Sequence, residues 1–286
     1  MKGKISIIIP AFNEEAAIAV VIKDIKDNMV SGKYGYEIIV VDDASEDQTP
    51  KAASGENIKV ITHEYNRGYG ASIKSGIKNS SGEFIAIIDG DGSYTGKDLL
   101  SLTEHLEEND MVVGARTKRG AKELFLRKIA KFFLVRLASY IVERKIPDLN
   151  SGLRIMRKDK LSEFLKILPD KFSFTTTLTL AFLNCNLRVD FIPIDYSKRR
   201  GKSKIRPIQD TLNFIQLIIR TTIYFNPLKI FIPASLLLFM AAITVFLYSH
   251  FFLPQVMDIT TIVLLLSSIQ ILAIGMIADL IIKRME

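Results

Sequence analysis

The sequence predicts an α/β protein, with a parallel sheet covered by helices on both faces and carried on a two-helix membrane anchor. Three observations support this reading. Short apolar runs alternate with stretches of helical periodicity from Ile5 to Ala115. Acidic or basic groups follow nearly every one of those runs. Two long, almost uncharged segments, Leu228 to His250 and Ile259 to Ile282, come near the C-terminus. Strands buried on both faces read as continuous apolar runs, and strands alternating with helices build parallel sheets.

Ile5-Ser6-Ile7-Ile8-Ile9-Pro10 is the first predicted strand, followed by Ala11-Phe12-Asn13-Glu14-Glu15 and a helix to about Asn28 with Ile18, Val21, Ile22 and Ile25 on one face. Glu37 to Val41 is the second strand and runs into Asp42-Asp43-Ala44-Ser45-Glu46-Asp47. Ile58 to Ile61 is a short third, and Arg67-Gly68-Tyr69-Gly70 opens a helix to about Lys78. The fourth strand, from Phe84, ends in Asp89-Gly90-Asp91-Gly92, and a fifth, Met111 to Val113, precedes Gly114-Ala115-Arg116. Further on, Phe172-Ser173-Phe174-Thr175-Thr176-Thr177 opens a helix and Leu187 to Ile194 reads as another strand.

The chain carries a net charge of +7, and its cations cluster. Fourteen Lys and Arg lie between Arg116 and Lys160 against four Asp and Glu, and the group Lys198, Arg199, Arg200, Lys202, Lys204 and Arg206 contains no acid. Such clusters suit phosphates, anionic lipid headgroups or nucleic acid; their place beside membrane spans argues against nucleic acid. The single Cys185 excludes an intramolecular disulfide and a Cys-based zinc site, and three scattered histidines (His63, His105, His250) disfavour a His-based one. Gly68-Tyr69-Gly70 begins like a dinucleotide fingerprint but has Ile73 where the third glycine belongs, and no P-loop pattern occurs.

No secretory signal opens the chain: the apolar run at Ile5 ends at Asn13-Glu14-Glu15 without a cleavage-type stretch. Each C-terminal apolar segment is long enough to cross a hydrocarbon core of about 30 Å at roughly 1.5 Å per residue. The link Phe251 to Asp258 has no Lys or Arg, whereas basic residues precede the first span and Lys283-Arg284 follow the second. The positive-inside rule then predicts the domain ahead of the spans and both termini in the cytoplasm. Two basic, apolar helical stretches, about 121–143 and Ile208 to Tyr224, have the character of helices lying in a membrane interface, or of core-facing helices with a solvated basic face. The expected organisation is a globular domain over 1–204, a juxtamembrane helix over 205–226 and a two-span hairpin over 227–286. Such hairpins often associate, so a homo-oligomer is compatible with it.

The chemistry centres on Asp89-Gly90-Asp91. Two carboxylates at the carboxyl end of a buried strand stand where open α/β sheets place ligands, and beside a diphosphate they would clamp Mg²⁺ or Mn²⁺. The bland alternative is an Asp-Gly turn that only ends a strand.

Taken together, Pro10-Ala11-Phe12-Asn13-Glu14, Val41-Asp42-Asp43-Ala44-Ser45, Asp89-Gly90-Asp91, Ser151-Gly152-Leu153-Arg154 and Gly201-Lys202-Ser203-Lys204 resemble the family 2 glycosyltransferases, and among them the polyprenyl-phosphate glycosyltransferases. The resemblance runs from about Lys4 to the C-terminus. It implies the GT-A fold (Rossmann-like, with a mostly parallel sheet). It also implies transfer of a sugar from a nucleotide sugar donor to a dolichyl or undecaprenyl phosphate acceptor at a lipid bilayer. By the same resemblance Pro10, Phe12, Glu14 and Gly90 would line the nucleotide pocket, Asp42 and Asp43 would contact base or ribose, and Asp89 and Asp91 would hold the metal. Arg116 and Lys204 would approach a donor or acceptor phosphate, with Arg154, Lys198 and Ser203 beside them. Two positions depart from the family pattern: Ser93 stands where relatives often carry Gln, and Lys198 where Arg is usual, which keeps the charge but loses the bidentate fork.

A phosphate monoester has a second pKa of about 6 and is largely anionic near neutral pH, so an acceptor of that kind needs orientation and charge neutralisation more than a strong base. Asp148 is the candidate for a base or a positioning carboxylate; a structural ion pair explains it equally well. The family implies single displacement with inversion. A UDP-sugar (glucose or N-acetylglucosamine) is the expected donor, with GDP-mannose open. A processive polysaccharide synthase would need a Gln-x-x-Arg-Trp motif and more spans, and this chain has no Trp. A non-catalytic membrane scaffold would not need both aspartates.

Overall fold

The computed structural model describes residues 3–117, 135–136, 138–140, 142–171, 173–195, 207–255 and 257–285. The expected interfacial helix over 121–143 falls largely outside the described residues, and Lys198, Ser203 and Lys204 fall wholly outside them.

β1 (Lys4–Ala11), β2 (Gly35–Asp42), β3 (Ile58–Thr62), β4 (Phe84–Ile87), β5 (Met111–Ala115), β6 (Arg154–Arg157) and β7 (Val189–Pro193) form one sheet in the order β3-β2-β1-β4-β6-β5-β7. All pairings are parallel except those of β6, which runs antiparallel to β4 and β5. β6 was not foreseen. Its apolar content is Ile155 and Met156 between two arginines, too short a run to show any period. What makes it a strand is the open edge of β4, where Ile85 and Ala86 meet Met156 and Ile155 in register.

β1 is apolar on both sides because both sides are covered. Ile5, Ile7 and Ile9 pack with Ile18, Val21, Ile22, Ile25 and Met29 of α1 (Ile18–Met29) and with Leu99 and Leu102 of α4 (Gly96–Thr103). Ile8 faces the other way, under Gly76 of α3 (Tyr69–Lys78), which follows the short α2 (Thr49–Ala52) and β3. Each such side chain removed from water stabilises the fold by about 1.5–3 kcal/mol. α4 has no long apolar signature in sequence, but Thr95 and Asp98 form a reciprocal capping box at its start, which meets the orphan amides of the first turn. α5 (Lys158–Phe164) and α6 (Phe174–Asn184) complete this part.

The chain divides into two compact units, Met1–Phe214 and Ile215–Glu286. The helix expected ahead of the spans, α7 (Pro207–Phe225), runs across that division. In the second unit α8 (Leu228–Phe252) and α9 (Asp258–Met285) pack as a hairpin, with the Ser235 hydroxyl donating to the Ser268 carbonyl at 2.8 Å. Their most apolar windows are only 11% and 17% buried. A core hairpin of a soluble protein would be mostly buried, so the pair has the length, composition and exposure of membrane spans.

Candidate active site

The strand order fixes where a site can form. The chain moves from β1 outward to β2 and β3, then returns to place β4 on the other side of β1. Loops leaving β1 and β4 diverge there, which opens a crevice at the carboxyl ends of the strands. Pro10, Phe12 and Glu14 lie at the end of β1, Asp42 and Asp43 at the end of β2, and Asp89, Gly90 and Asp91 beyond the end of β4. The loops after β1 and β2 are tied together. The Asn13 amide donates to Ser45 Oγ (2.9 Å), the Glu46 amide to Asn13 Oδ1 (2.9 Å) and the Glu14 amide to Thr49 Oγ1 (2.8 Å).

The two acids after β2 have different surroundings. Asp42 is fully buried; its Oδ2 accepts the Ser45 amide at 3.3 Å, and Oδ1 has no hydrogen-bond partner among the described residues. A buried acceptor lacking a donor is uncommon and calls for a ligand or solvent group. Asp43 is instead saturated. Its Oδ1 lies 2.7 Å from His63 Nδ1 and accepts the Arg67 amide (2.9 Å), and its Oδ2 accepts the Gly68 amide (2.8 Å). His63 Nε2 then meets Ser75 Oγ at 2.8 Å. The expected base or ribose contact therefore fits Asp42, whereas Asp43 anchors the start of α3.

Asp89 sits on a buried polar floor. Tyr69, the first residue of α3, donates its hydroxyl to Asp89 Oδ1 at 2.8 Å. Gly152 approaches from another side so closely that a Cβ there would lie 2.2 Å from Asp89 Oδ2; glycine is required because any side chain would displace the carboxylate. The Gly152 amide donates to the Tyr94 hydroxyl at 2.8 Å. Burial, then the Asp89 charge, pushes the Tyr69 hydroxyl well above its ordinary pKa and raises Tyr94 for the same reasons.

Arg154, expected at a phosphate, lies at 0% exposure beneath this floor. Its guanidinium donates to the carbonyls of Ser151 (2.5 Å) and Thr175 (2.9 Å) and to Thr179 Oγ1 (3.0 Å), while Nε has no partner among the described residues. Burial pulls its pKa down to about 10, partly offset by Tyr69, Tyr94, Asp148 and Asp89. A guanidinium sealed off in this way does not reach an acceptor phosphate. Its work is to clamp the Ser151-Gly152 turn against Asp89, which corrects the sequence expectation.

Asp91 is buried, and both the amide (2.9 Å) and the hydroxyl of Ser93 bind its Oδ1. The departure at Ser93 thus has a local consequence: a short side chain two residues on turns back onto the carboxylate. Among the described residues no group of three or more His, Cys, Asp or Glu forms a self-sufficient metal site. Two carboxylates with oxygens from a diphosphate and water make an all-oxygen donor set, which suits Mg²⁺ or Mn²⁺.

The remaining two candidates meet each other. Arg116 Nε and a terminal nitrogen donate to Asp148 Oδ2 (2.6 Å) and Oδ1 (2.9 Å), and the Arg116 amide also reaches Oδ2 (3.1 Å). Burial works to raise the Asp148 pKa, but the Arg116 hydrogen bonds and charge outweigh it and hold the carboxyl below its ordinary value. An ionised, bidentate-paired carboxylate is a weak proton acceptor. The geometry favours Asp148 as the group that orients Arg116, which keeps part of its side chain accessible.

Sequence reasoning missed Tyr69, Tyr94 and His63. None belongs to a motif, and each acquires its role from a partner between 12 and 58 residues away. The signal available was the run Arg67-Gly68-Tyr69-Gly70, read as a helix start and as a rejected dinucleotide fingerprint.

Comparison with known proteins identifies the family and the fold. Residues 6–165 match the family described as Glycosyl transferase family 2, and residues 226–283 match the GtrB C-terminal hairpin. The dodecaprenyl-phosphate galacturonate synthase of Rhizobium johnstonii is 28% identical, covering 97% of this chain and 87% of its own. The dolichyl-phosphate beta-glucosyltransferase of Dictyostelium discoideum is 24% identical over 76% of this chain and 73% of its own. Among solved structures, glucosyl-3-phosphoglycerate synthase from Mycobacterium tuberculosis, in complex with Mn²⁺, UDP and glucosyl-3-phosphoglycerate, shares the fold with a TM-score of 0.62 at 21% identity, over 77% of this chain and 80% of that one. The chain therefore belongs to glycosyl transferase family 2, as a glycosyltransferase of GT-A fold whose relatives include polyprenyl-phosphate sugar transferases.

Proposed function

We propose that the protein transfers a sugar, with inversion, from a UDP-sugar (UDP-glucose or UDP-N-acetylglucosamine) to the phosphate of a dolichyl or undecaprenyl phosphate at the cytoplasmic membrane face. The observation that carries the reading is the pairing of unlike strand ends across one crevice. Asp42 offers a buried oxygen without a donor, suited to a base or ribose N–H or O–H, and Asp89 and Asp91 offer carboxylates beyond the end of β4. A nucleoside diphosphate has both chemistries in one molecule, and the galacturonate and glucosyl relatives support a sugar as the group transferred.

Asp89 and Asp91 would hold a divalent ion on the donor diphosphate. When bound, that ion offsets the charge gained by the departing nucleoside diphosphate. The chain's own residues do the rest. Tyr69 and Gly152 confine Asp89, Ser93 confines Asp91, and Asp148 aims the Arg116 guanidinium toward a phosphate. The acceptor oxygen is already largely anionic, its second pKa being about 6, so the site needs no strong base, in keeping with the ionised Asp148. The basic residues around 198–204 would meet the lipid phosphate, and the hairpin would hold the domain at the bilayer, both termini cytoplasmic because the Phe251–Asp258 link lacks Lys and Arg.

The test uses the full chain in lipid nanodiscs with radiolabelled UDP-glucose, UDP-N-acetylglucosamine and GDP-mannose, each with polyprenyl phosphate. Transfer from a UDP-sugar is expected, abolished by EDTA and restored by Mg²⁺ or Mn²⁺, and reduced at least about 100-fold in Asp91→Asn. Transfer from GDP-mannose alone would move the donor assignment. Full activity of Asp91→Asn in EDTA would remove the metal role, and a product that keeps the donor's anomeric configuration would remove inversion.

A further inference from the structure

We infer that Tyr69 is a positioning residue whose hydroxyl holds the Asp89 carboxylate in the orientation needed to bind the donor's divalent ion; this rests on the metal reading proposed above.

The carboxylate of an aspartate turns about a broad terminal torsion, so a strand end by itself places its oxygens poorly. Here two contacts restrict it. The Tyr69 hydroxyl donates to Oδ1 at 2.8 Å, and the Gly152 backbone crowds the carboxylate, a Cβ on that residue falling 2.2 Å from Oδ2 and 2.6 Å from Oδ1. The pattern of the strand makes the meeting possible. Phe84, Ala86 and Ile88 pack toward α1 and α4, so the alternation sends Ile85, Ile87 and then Asp89 toward α3, where Tyr69 occupies the first turn.

The donor is delivered from a rigid mount. Asp43 receives the Arg67 and Gly68 amides just before Tyr69, and Gly68 adopts φ +104° there, within 2.7 Å of Asp170 O were it to carry a Cβ. The Ala71 amide donates to the Asp170 carbonyl at 2.9 Å, and Lys74 reaches Asp170 Oδ1 at 2.7 Å and Leu168 O at 2.5 Å. His63 joins Asp43 to Ser75, two turns into the same helix. Six hydrogen bonds therefore fix the helix start that carries one hydroxyl to one carboxylate. Partners of metal-ligating groups typically contribute 10- to 100-fold, roughly, to metal affinity.

Mn²⁺ binding in the presence of UDP, followed by the electron paramagnetic resonance of free Mn²⁺, tests this with the full chain in nanodiscs. Tyr69→Phe is expected to raise the apparent Mn²⁺ dissociation constant about tenfold. Its transfer activity should recover at higher Mn²⁺, with the melting temperature and the KM for polyprenyl phosphate unchanged. Wild-type Mn²⁺ affinity in a folded Tyr69→Phe, alongside lost binding in Asp91→Asn, would overturn the role of Tyr69 and leave the metal site standing. Undiminished binding in Asp91→Asn would remove the metal reading itself and the inference with it. Tyr69→Met removes the hydroxyl while keeping apolar volume and replaces Phe if that variant fails to fold; failure of both would also overturn the inference, since the hydroxyl would then be serving stability.

Discussion

The ends of β2 and β4 both carry two acids, and the chain uses them in opposite ways. After β2 the acids are adjacent, so the two-residue alternation of a strand turns them to opposite faces. Asp43 follows Ile39 and Val41 toward α3 and is consumed there by His63 and two amides, while Asp42 points away with one oxygen unpartnered among the described residues. After β4 the acids are separated by Gly90, and each is confined by a hydroxyl, Asp89 by Tyr69 and Asp91 by Ser93. Spacing by one residue sends the acids to opposite faces; spacing by two keeps both on the same side of the strand end.

The contrast can be broken first at Asp43. Removing its carboxylate in Asp43→Ala leaves two amides and an imidazole without their acceptor, with an expected loss of about 3 kcal/mol of stability, read by chemical denaturation of the full chain. A loss under about 0.5 kcal/mol, the range of ordinary surface substitutions, would mean that Asp43 is not the anchor described. A smaller effect, of a different kind, is expected across the peptide bond. Asp42→Asn should keep its melting temperature but weaken nucleotide binding roughly tenfold, or about 1.4 kcal/mol, measured by titration calorimetry with UDP. An unfolded Asp42→Asn would place both acids in the structural class and end the comparison.

The smallest effect concerns pH. Asp148 is held below the ordinary carboxylate value of 3.8 by Arg116. A depressed carboxyl contributes stability that is complete above the unfolded-state pKa and disappears as pH falls through the lower folded value. Wild type should thus lose more stability than Asp148→Asn as pH drops from about 5 to below 3.8, and the two should run parallel above pH 5. Parallel curves throughout would show that the pair adds nothing beyond its geometry.

Much of the fold was legible because it depends on local pattern. β1, β2 and β4 are apolar on both faces, α1 repeats its apolar residues at helical spacing, and the two spans are long and nearly uncharged. β6 was not legible, since a four-residue strand of which two are arginines becomes a strand only by filling the edge between β4 and β5. The same holds in the site. Asp89 and Asp91 drew notice from their place at a strand end, whereas Asp42 and Arg116 were singled out only by the resemblance of their motifs. The burial of Arg154 was missed because the signal it gave, a cation in a basic stretch, is the same whether the side chain meets solvent or the Thr175 carbonyl.

The sequence by itself determined the class of the protein: alternating strands and helices, acids at the crevice, cations and spans near the C-terminus. These follow from periodicity and composition, which act over a few neighbouring residues. Only the tertiary structure decided which acid is held by several donors and which keeps an oxygen without a partner among the described residues, because that depends on donors brought from far along the chain. Tyr69 is 20 residues from Asp89, Arg116 is 32 from Asp148 and Tyr94 is 58 from Gly152. A carboxylate's role is set by the donors around it, and no stretch of sequence contains its own surroundings.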